Sequence, residues 1–287
     1  MQQTQQYNVV ITGGGSGIGA VLAETLSGLG HSVAICGRRK NKLQDVAEKN
    51  ANITMFQCDV SSEKEVKAFK RFVNKRRGHI DILINCAGLF GSIGRFDRTD
   101  SSLWRKTFEI NTFGTYLVSK HFLPLLLKSG VKIIINFSGG GAFNSFPNYS
   151  AYAVSKAAVV RLSEIIADEL ADEGVRVNCV APGFVATEIH DSTLSASKKI
   201  AGDHYEVTKA KLKTGSVPME VVVNCIKFLI SEKANGLTGK TISASFDKWG
   251  SEEFQNSIKL INNSDLYTMR RINLVNIEQN NPLRKIL

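Results

Sequence analysis

Near its N-terminus the chain reads Thr12-Gly13-Gly14-Gly15-Ser16-Gly17-Ile18-Gly19, a glycine-rich turn between a strand-like run and a helix-like run. The run before it, residues 7–11, is rich in valine and isoleucine. After it, apolar side chains recur at helical spacing, at Ile18, Val21, Leu22, Leu26 and Leu29. This order predicts a tight turn whose backbone N–H groups face a helix N-terminus, which is a favourable place for an anion.

The same order of elements continues along the rest of the chain. Most strand-like runs are continuous rather than alternating, as in strands that are buried on both faces of a parallel sheet. These runs lie at 7–11, 32–36, 53–57, 80–84, 132–136, 175–180 and 241–244. Further helical patterns lie at 40–49, 62–77, 101–127, 150–172 and 218–231. We therefore expect an α/β fold, a doubly wound (Rossmann-type) parallel sheet of about seven strands with helices on both faces.

One hydrophobic core accounts for residues 1–248, since this part of the chain has no linker and no internal repeat. We expect it to be a single catalytic domain. Residues 183–216 have no strand candidate and follow the carboxyl end of a strand, where doubly wound folds bind ligands. They are predicted to form a mobile substrate lid. Residues 249–287 form an asparagine-rich C-terminal extension, which we expect to be docked or disordered.

Composition narrows the class of protein. Of the 287 residues 43% are hydrophobic, which is enough for a substantial core, but no run of about 18 apolar residues is present to span a membrane. The N-terminus, Met1-Gln2-Gln3-Thr4-Gln5-Gln6, lacks the basic and apolar regions of a signal peptide. We expect a cytoplasmic protein without a membrane partner.

The formal charge of +10 is the one feature that would favour nucleic-acid binding. Seven Lys or Arg and two Glu lie at 62–77, in a segment whose Val66, Phe69 and Val73 share one helix face. This pattern is typical of a solvated basic helix face, and no aromatic–basic platform accompanies it. We expect no nucleic-acid partner and a general attraction for anionic cofactors and substrates.

Cysteine and histidine show no spacing typical of metal ligands. The five cysteines are odd in number and form no CxxC pair, so neither a metal site nor a disulfide framework is predicted. Surface or loop positions are expected for the five histidines. His190 and His204 fall in the predicted lid and are candidates for contact with a substrate.

The glycine turn and the end of the second strand together indicate a dinucleotide cofactor. Gly13, Gly17 and Gly19 let backbone N–H groups approach a pyrophosphate at the helix N-terminus. Strand two ends in Cys36-Gly37-Arg38-Arg39, with no carboxylate for a ribose 2′-hydroxyl and two guanidiniums for a 2′-phosphate. NADP(H) is therefore favoured, and NAD(H) stays possible if the arginines are only exposed charges at a helix entry.

Tyr152 and Lys156 are four residues apart in Tyr152-Ala153-Val154-Ser155-Lys156 and so share one helix face. A tyrosine acid/base that works near neutral pH needs a pKa about 3 units below its usual value of about 10. A neighbouring ammonium and an oxidised nicotinamide both favour phenolate. Tyr149 is a rival phenol, but the residue four positions after it is Ala153.

Taken together, these motifs resemble the short-chain dehydrogenases/reductases in their compact single-domain form. The resemblance covers roughly residues 7–246. It rests on Thr12-Gly13-x-x-x-Gly17-x-Gly19, Cys58-Asp59-Val60, Asn85-Cys86-Ala87-Gly88, Asn111, Tyr152-x-x-x-Lys156, and Pro182-Gly183 with Thr187.

The resemblance implies a role for each matched residue. Asp59 and Val60 should flank adenine, Asn85 to Gly88 should line the cofactor cleft and brace the sheet, and Pro182, Gly183 and Thr187 should approach the nicotinamide. The expected cofactor-binding residues are Thr12, Gly13, Ser16, Gly17, Ile18, Gly19, Arg38, Arg39, Asp59, Val60, Asn85, Ala87, Gly88, Tyr152, Lys156, Pro182, Gly183 and Thr187. The expected catalytic residues are Asn111, Ser138, Tyr152 and Lys156.

The serine of this catalytic group departs from the family's spacing. Ser138 lies fourteen residues before Tyr152, and an ungapped match to the usual spacing falls on Gly139. We expect the glycine run to absorb the extra residue and Ser138 to hold the substrate oxygen, with Ser145 as a second candidate. Asn111 is expected to kink its helix and to hold a water that links the lysine to solvent.

The predicted function is an NADP(H)-dependent oxidoreductase that interconverts a ketone or aldehyde and an alcohol, with Tyr152 as the acid/base. Two alternatives stay open: a non-catalytic NADP(H)-binding regulatory or scaffold protein, and a sugar epimerase or dehydratase on the same fold. The expected partner is a small carbonyl or alcohol substrate. By analogy with the family, the chain should form a homodimer or homotetramer.

Overall fold

A seven-stranded sheet, in which every pairing is parallel, forms the centre of the protein. The computed structural model describes residues 6–270. The strands are β1 Asn8–Thr12, β2 Ser32–Gly37, β3 Ile53–Gln57, β4 Ile82–Asn85, β5 Ile133–Phe137, β6 Arg176–Ala181 and β7 Thr241–Ser243. Their order across the sheet is β3-β2-β1-β4-β5-β6-β7. The predicted doubly wound fold is confirmed.

Twelve α-helices lie in this part of the chain. They are α1 Gly17–Gly28, α2 Lys40–Ala47, α3 Glu63–Arg77, α4 Ser101–Phe108, α5 Gly114–Leu126, α6 Ser150–Glu169, α7 Asp191–Ser195, α8 Ser197–Ala201, α9 His204–Ala210, α10 Met219–Ile230, α11 Glu252–Asn256 and α12 Ile258–Asn262. Short 3₁₀ turns occupy Phe96–Arg98, Glu188–His190 and Glu232–Ala234, and π-helical turns occupy Glu109–Phe113 and Lys211–Gly215.

Burial on both faces of the sheet explains the continuous apolar runs. In β1, Val9 and Ile11 belong to the core cluster on one face and Val10 to the cluster on the other, and all three are fully buried. Alternate residues of a strand point to opposite faces, so a strand with helices on both sides needs apolar residues at every position.

One helix prediction is corrected in detail. The segment predicted as a single helix at 101–127 is α4 and α5 joined by the π-helical turn Glu109–Phe113. The buried Asn111 lies in that turn, and its side chain bonds to residues outside the helix. A π-helical turn of this kind commonly accompanies a functional site.

Residues 183–216 contain no strand, as predicted, and form three short helices, α7, α8 and α9. The proposal that the segment moves as a lid stays a prediction.

The first part of the extension packs on the body of the protein. Phe254, Ile258 and Ile261 join the core cluster that contains α10. The carbonyl of Tyr267 accepts from the N–H of Thr241 at 2.7 Å, so the extension caps the outer edge of β7. The rest of the predicted extension, residues 271–287, lies outside the described residues, and the division of the chain at residue 248 stays a prediction.

Candidate active site

A cavity of about 1140 Å³ opens at the carboxyl ends of the strands. The order of strands reverses between β1 and β4, and doubly wound sheets bind ligands in the crevice at such a point. The glycine turn, the ends of β2, β4, β5 and β6, helix α6 and the segment 183–217 all contribute to the lining. The predicted cofactor and catalytic residues therefore meet mostly in one space.

The glycine turn has the backbone geometry that its sequence requires. Gly13 and Gly17 have φ of +69° and +55°, where a side chain would be strained. A Cβ on Gly13 would lie 2.9 Å from the backbone of Ala87, and one on Gly19 would lie 2.5 Å from the carbonyl oxygen of Gly13. The turn is thus packed too tightly for side chains at these two positions, and Gly13, Ser16 and Gly17 line the cavity, which fits the pyrophosphate of a dinucleotide.

Three of the predicted cofactor residues support the cleft from behind instead of lining it. Thr12 Oγ1 accepts from the N–H groups of Cys86 and Ala87, each at 3.1 Å, and so ties β1 to the end of β4. The side chain of Asn85 is buried and donates to Ser119 Oγ and Asn136 Oδ1. Gly19 lies in the first turn of α1, packed against the carbonyl oxygen of Gly13. For Asn85, bracing of the sheet is therefore observed, whereas the predicted lining of the cleft is not.

The two arginines after β2 have different surroundings. Arg39 donates to Glu188 Oε2 at 2.8 Å and to Ser16 Oγ at 2.6 Å. Arg38 also lines the cavity, and within residues 6–270 it forms no salt bridge. Arg38 is consequently the guanidinium better placed for a 2′-phosphate, because no carboxylate of the described residues lies within salt-bridge distance of it, and its charge acts only at longer range on Asp59.

Asp59 and Val60 line the cavity on the same side as Arg38. The Asp59 carboxylate accepts from its neighbour Ser61, with 2.6 Å to the hydroxyl and 2.9 Å to the backbone N–H. This local turn presents Asp59 at the end of β3, where the adenine contact was predicted.

Tyr152 and Lys156 are both buried on one face of α6 and both line the cavity. The Lys156 ammonium lies 5.9 Å from the centre of the Tyr152 ring and donates to the carbonyl oxygen of Phe137 at 2.8 Å. Burial raises the pKa of Tyr152 and lowers the pKa of Lys156. Within the protein alone, desolvation therefore outweighs the stabilisation of phenolate that was expected from the lysine.

The surroundings of Ser138 and Gly139 indicate which residue can hold the substrate oxygen. A Cβ on Gly139 would lie 2.0 Å from the Tyr152 hydroxyl, so the phenol takes up the space of a side chain at this position. Ser138 Oγ is buried in the cavity lining and has no hydrogen-bond partner within residues 6–270. Ser145 is absent from the residues that line this cavity.

Asn111 is buried, and both polar atoms of its side chain form hydrogen bonds. Its Nδ2 donates to the carbonyl oxygen of Leu89 and to Ser155 Oγ, both at 2.9 Å, and its Oδ1 accepts from the N–H of Leu89. A Cβ on Gly88 would lie 3.3 Å from Asn111 Oδ1 and 3.4 Å from Lys156 Nζ. Asn111 thus lies behind the lysine, separated from the cavity.

Thr187 connects the segment 183–217 to the cofactor end of the cavity. A Cβ on Gly17 would meet the Thr187 side chain at 3.4 Å. Pro182, Gly183 and Thr187 all line the cavity, and Gly183 has φ of +75°. Their location agrees with the predicted approach to a nicotinamide.

An aromatic wall beside Tyr152 was not predicted. Phe90 packs edge-on against Tyr152 with ring centres 4.7 Å apart, and Phe146 and Phe184 also line the cavity. Phe90 follows Asn85-Cys86-Ala87-Gly88 by two residues, so its place after a strand end was the available signal. The contact surface itself is formed by residues far apart in the chain.

His190 and His204 both line the cavity, as expected of candidates for contact with a substrate. His190 is buried, which corrects the expectation of a surface position for this residue. His31 is buried as well. Among residues 6–270, no group of three or more His, Cys, Asp or Glu side chains is arranged to hold a metal ion. Nor does this part of the chain contain a helix long and apolar enough to cross a bilayer.

Comparison with known proteins agrees with this geometry. A family model described as short chain dehydrogenase matches residues 7–198. A short chain dehydrogenase of Monascus purpureus is 32% identical over 249 residues, covering 83% of this chain and 80% of that protein. A short-chain type dehydrogenase/reductase from Mycobacterium ulcerans is 30% identical with a TM-score of 0.73, covering 84% of this chain and 89% of the other.

A variant of actinorhodin polyketide ketoreductase, solved with NADPH, is 26% identical with a TM-score of 0.75, covering 85% of this chain and 97% of the other. The chain belongs to the short-chain dehydrogenases/reductases. It is an oxidoreductase of that family, with a Rossmann-type fold that binds NAD(P)(H).

Proposed function

We propose that the protein is an NADP(H)-dependent oxidoreductase that interconverts a ketone or aldehyde and an alcohol, with Tyr152 as the acid/base. The observation that carries the proposal is the position of Tyr152 and Lys156, which line the same cavity as the glycine turn and Arg38. A bound nicotinamide supplies the hydride for reduction and accepts it in the reverse direction.

The side chains divide the remaining work. Tyr152 donates its phenolic proton to the carbonyl oxygen during reduction and takes the proton back during oxidation. The Oγ of Ser138 is an unpaired donor in the cavity and holds the substrate oxygen. Lys156 holds the cofactor ribose and favours the phenolate through its charge, and Asn111 supports the lysine from behind.

The preference for NADP(H) is supported by the charges at the end of β2. Arg38 is unpaired within the described chain, and Gly37 stands where an acidic residue would favour a ribose 2′-hydroxyl. The related ketoreductase solved with NADPH is consistent with this choice.

Self-association as a homodimer or homotetramer is part of the same proposal. Leu103, Phe113 and Tyr116 expose large apolar surfaces along α4, the π-helical turn and α5. Buried in an interface, these side chains would be removed from water. Sedimentation equilibrium should give a mass of two or four times 31.4 kDa, and a mass of 31.4 kDa would contradict this part.

The test of the function is a screen for oxidation of NADPH with simple ketones, keto-sugars and acyl ketones. Tyr152→Phe should lower turnover by about 10²- to 10⁴-fold, because it removes the proton donor, while the affinity for NADPH stays unchanged. The matched control is Tyr149→Phe, since the Tyr149 hydroxyl bonds to Thr193 outside the cavity. Binding of NADPH without turnover of any carbonyl compound would favour the scaffold alternative.

A further inference from the structure

The part of the cavity beyond Tyr152 is built from stacked rings. Phe90 contacts both Tyr152 and His190, with ring centres 4.7 Å and 5.5 Å apart. His190 also stacks on Phe184, with ring centres 3.9 Å apart and an angle of 21° between the rings. These four rings all line the cavity, so a flat apolar molecule would meet ring surfaces next to the catalytic phenol.

The imidazole of His190 places polar nitrogens in this wall of rings. His190 Nε2 lies 3.0 Å from the carbonyl oxygen of Val185. A carbonyl oxygen can only accept, so Nε2 must carry the hydrogen of that bond. Burial lowers the pKa of His190, which keeps the imidazole neutral near pH 7. In a neutral imidazole with the hydrogen on Nε2, Nδ1 is an acceptor.

That acceptor has no partner within the described residues. His190 is only 5% exposed, and its Nδ1 is buried without a hydrogen bond. Buried polar atoms in native proteins are nearly always bonded, so an unpaired nitrogen on a side chain that lines a cavity points to a ligand group that completes it. The other charged or titratable groups near it are Asp191, Lys211 and His204, none of which bonds to Nδ1.

His204 adds a second unsatisfied nitrogen to the same end of the cavity. Its ring packs edge-on against Phe146 at 4.7 Å, and its Nε2 is buried without a partner among residues 6–270. Burial, followed by the charges of His190 and Lys211, lowers the pKa of His204 to about 4. Both imidazoles are therefore neutral near pH 7, and each has a nitrogen that can bond to an uncharged polar group.

We infer that His190 Nδ1 is a specificity-determining acceptor for a hydroxyl group on the substrate, and that the substrate is a hydroxylated aryl ketone. The aryl body packs against Phe90 and Phe184, the carbonyl lies at Tyr152, and the hydroxyl donates to His190. This inference rests on the proposed function for the carbonyl, but the hydroxyl contact is independent of turnover.

The test compares acetophenone with its three ring-monohydroxylated derivatives, which are isomers of one another. For the wild type we expect at least one hydroxy isomer to exceed acetophenone by about tenfold in kcat/KM with NADPH, the size of effect typical of one hydrogen bond. His190→Phe keeps the stacked ring and removes the acceptor, so it should abolish this preference while acetophenone is still reduced. His190→Asn, which retains an acceptor oxygen, should keep part of it.

Equilibrium binding of the same four compounds to the Tyr152→Phe variant with NADP⁺ separates the two proposals. A hydroxyl preference in binding that His190→Phe removes supports the role of His190 even if no compound is turned over, in which case only the proposed function fails. Equal binding of all four compounds by the protein, or a preference that persists in His190→Phe, overturns the inference. Unchanged affinity for NADPH and an unchanged melting temperature verify that the variants are folded.

Discussion

Gly139 leaves the space in which the Tyr152 hydroxyl lies. A methyl group at position 139 would come within 2.0 Å of that hydroxyl, so Gly139→Ala must displace the phenol. We expect kcat to fall about 10- to 100-fold with little change in the affinity for NADPH, since small displacements of a reacting group are costly. The control is Gly140→Ala, where the added methyl would meet only the Phe146 ring at 3.7 Å. Equal activities of the two variants would contradict this account.

The pKa of Tyr152 should depend on the cofactor. Burial raises this pKa in the protein, so in the free chain the phenol should ionise above about pH 10. The positive charge of NADP⁺ nearby favours phenolate and should lower the pKa. The ultraviolet difference spectrum between wild type and Tyr152→Phe should therefore show ionisation at a lower pH with NADP⁺ than without it.

The sign of this shift also predicts the pH dependence of the two directions. Reduction needs the protonated phenol and should persist through neutral pH, whereas oxidation needs phenolate and should rise with pH. Tyr149→Phe is the control for the spectra, because burial raises the pKa of Tyr149 too but its hydroxyl faces Thr193. A titration of Tyr152 that NADP⁺ leaves unchanged would argue against its position beside the nicotinamide.

At the scale of elements, one ion-pair cluster joins helix α2 to the segment 183–217 across the mouth of the cavity. Glu188 pairs with Arg39 at 2.8 Å and with Lys42 at 3.2 Å. The hydrogen bond from Arg39, and then that from Lys42, holds the pKa of Glu188 below its usual range. These groups are about half exposed, so the pairs contribute little to the stability of the fold.

If NADP(H) is the cofactor, as we propose, this carboxylate should compete with the 2′-phosphate for Arg39 and Lys42. Glu188→Gln should therefore increase the preference for NADP(H) over NAD(H), by up to about fivefold for an exposed pair. The measurement is the ratio of dissociation constants for NADP⁺ and NAD⁺. Glu206→Gln is the matched control, because Glu206 pairs with Lys198 in the same segment and does not line the cavity. A decreased or unchanged ratio in Glu188→Gln would refute the competition.

At the scale of the whole molecule, the start of the C-terminal extension shares the core of the body. In α12, Ile261 is 5% exposed and packs in the cluster that includes α10, whereas its neighbour Leu260 is 75% exposed. Ile261→Ala should lower the free energy of unfolding by about 2–5 kcal/mol. Leu260→Ala, a comparable truncation one position away, should change it by no more than about 0.5 kcal/mol.

Chemical denaturation measures both variants, and the transition should remain single because the extension and the sheet share one core. A small effect of Ile261→Ala would mean that the extension contributes little to the stability of the sheet domain.

The order of strands and helices could be predicted because each signal is local. Continuous valine-rich and isoleucine-rich runs predicted all seven strands within two residues, and the glycine turn predicted the crevice at which the cavity lies. The family resemblance predicted a kink at Asn111, but the π-helical form of that kink was not predicted, because the side-chain bonds of Asn111 go to Leu89 and Ser155, which are distant in the chain.

The site was predicted less completely than the fold, because side-chain directions depend on contacts between residues that are distant in the chain. Tyr152 and Lys156 were recognisable from their spacing on one helix, and the structure brings them to the cavity. Thr12 and Asn85 were recognised as motif residues, but their side chains tie strands together and leave the lining to their neighbours. A motif specifies which residue occurs, whereas the direction of its side chain depends on the strands packed beside it.

The sequence alone determined three features: the parallel sheet, the family, and the pairing of a phenol with an ammonium. Each of them depends on periodicity or on short motifs, which are properties of neighbouring positions. Folding was needed to bring Phe90, Phe184 and His190 against Tyr152 and to leave an imidazole nitrogen unpaired among them. Substrate recognition depends on contacts between segments far apart in the chain, and only packing determines which of their polar atoms remain without a partner.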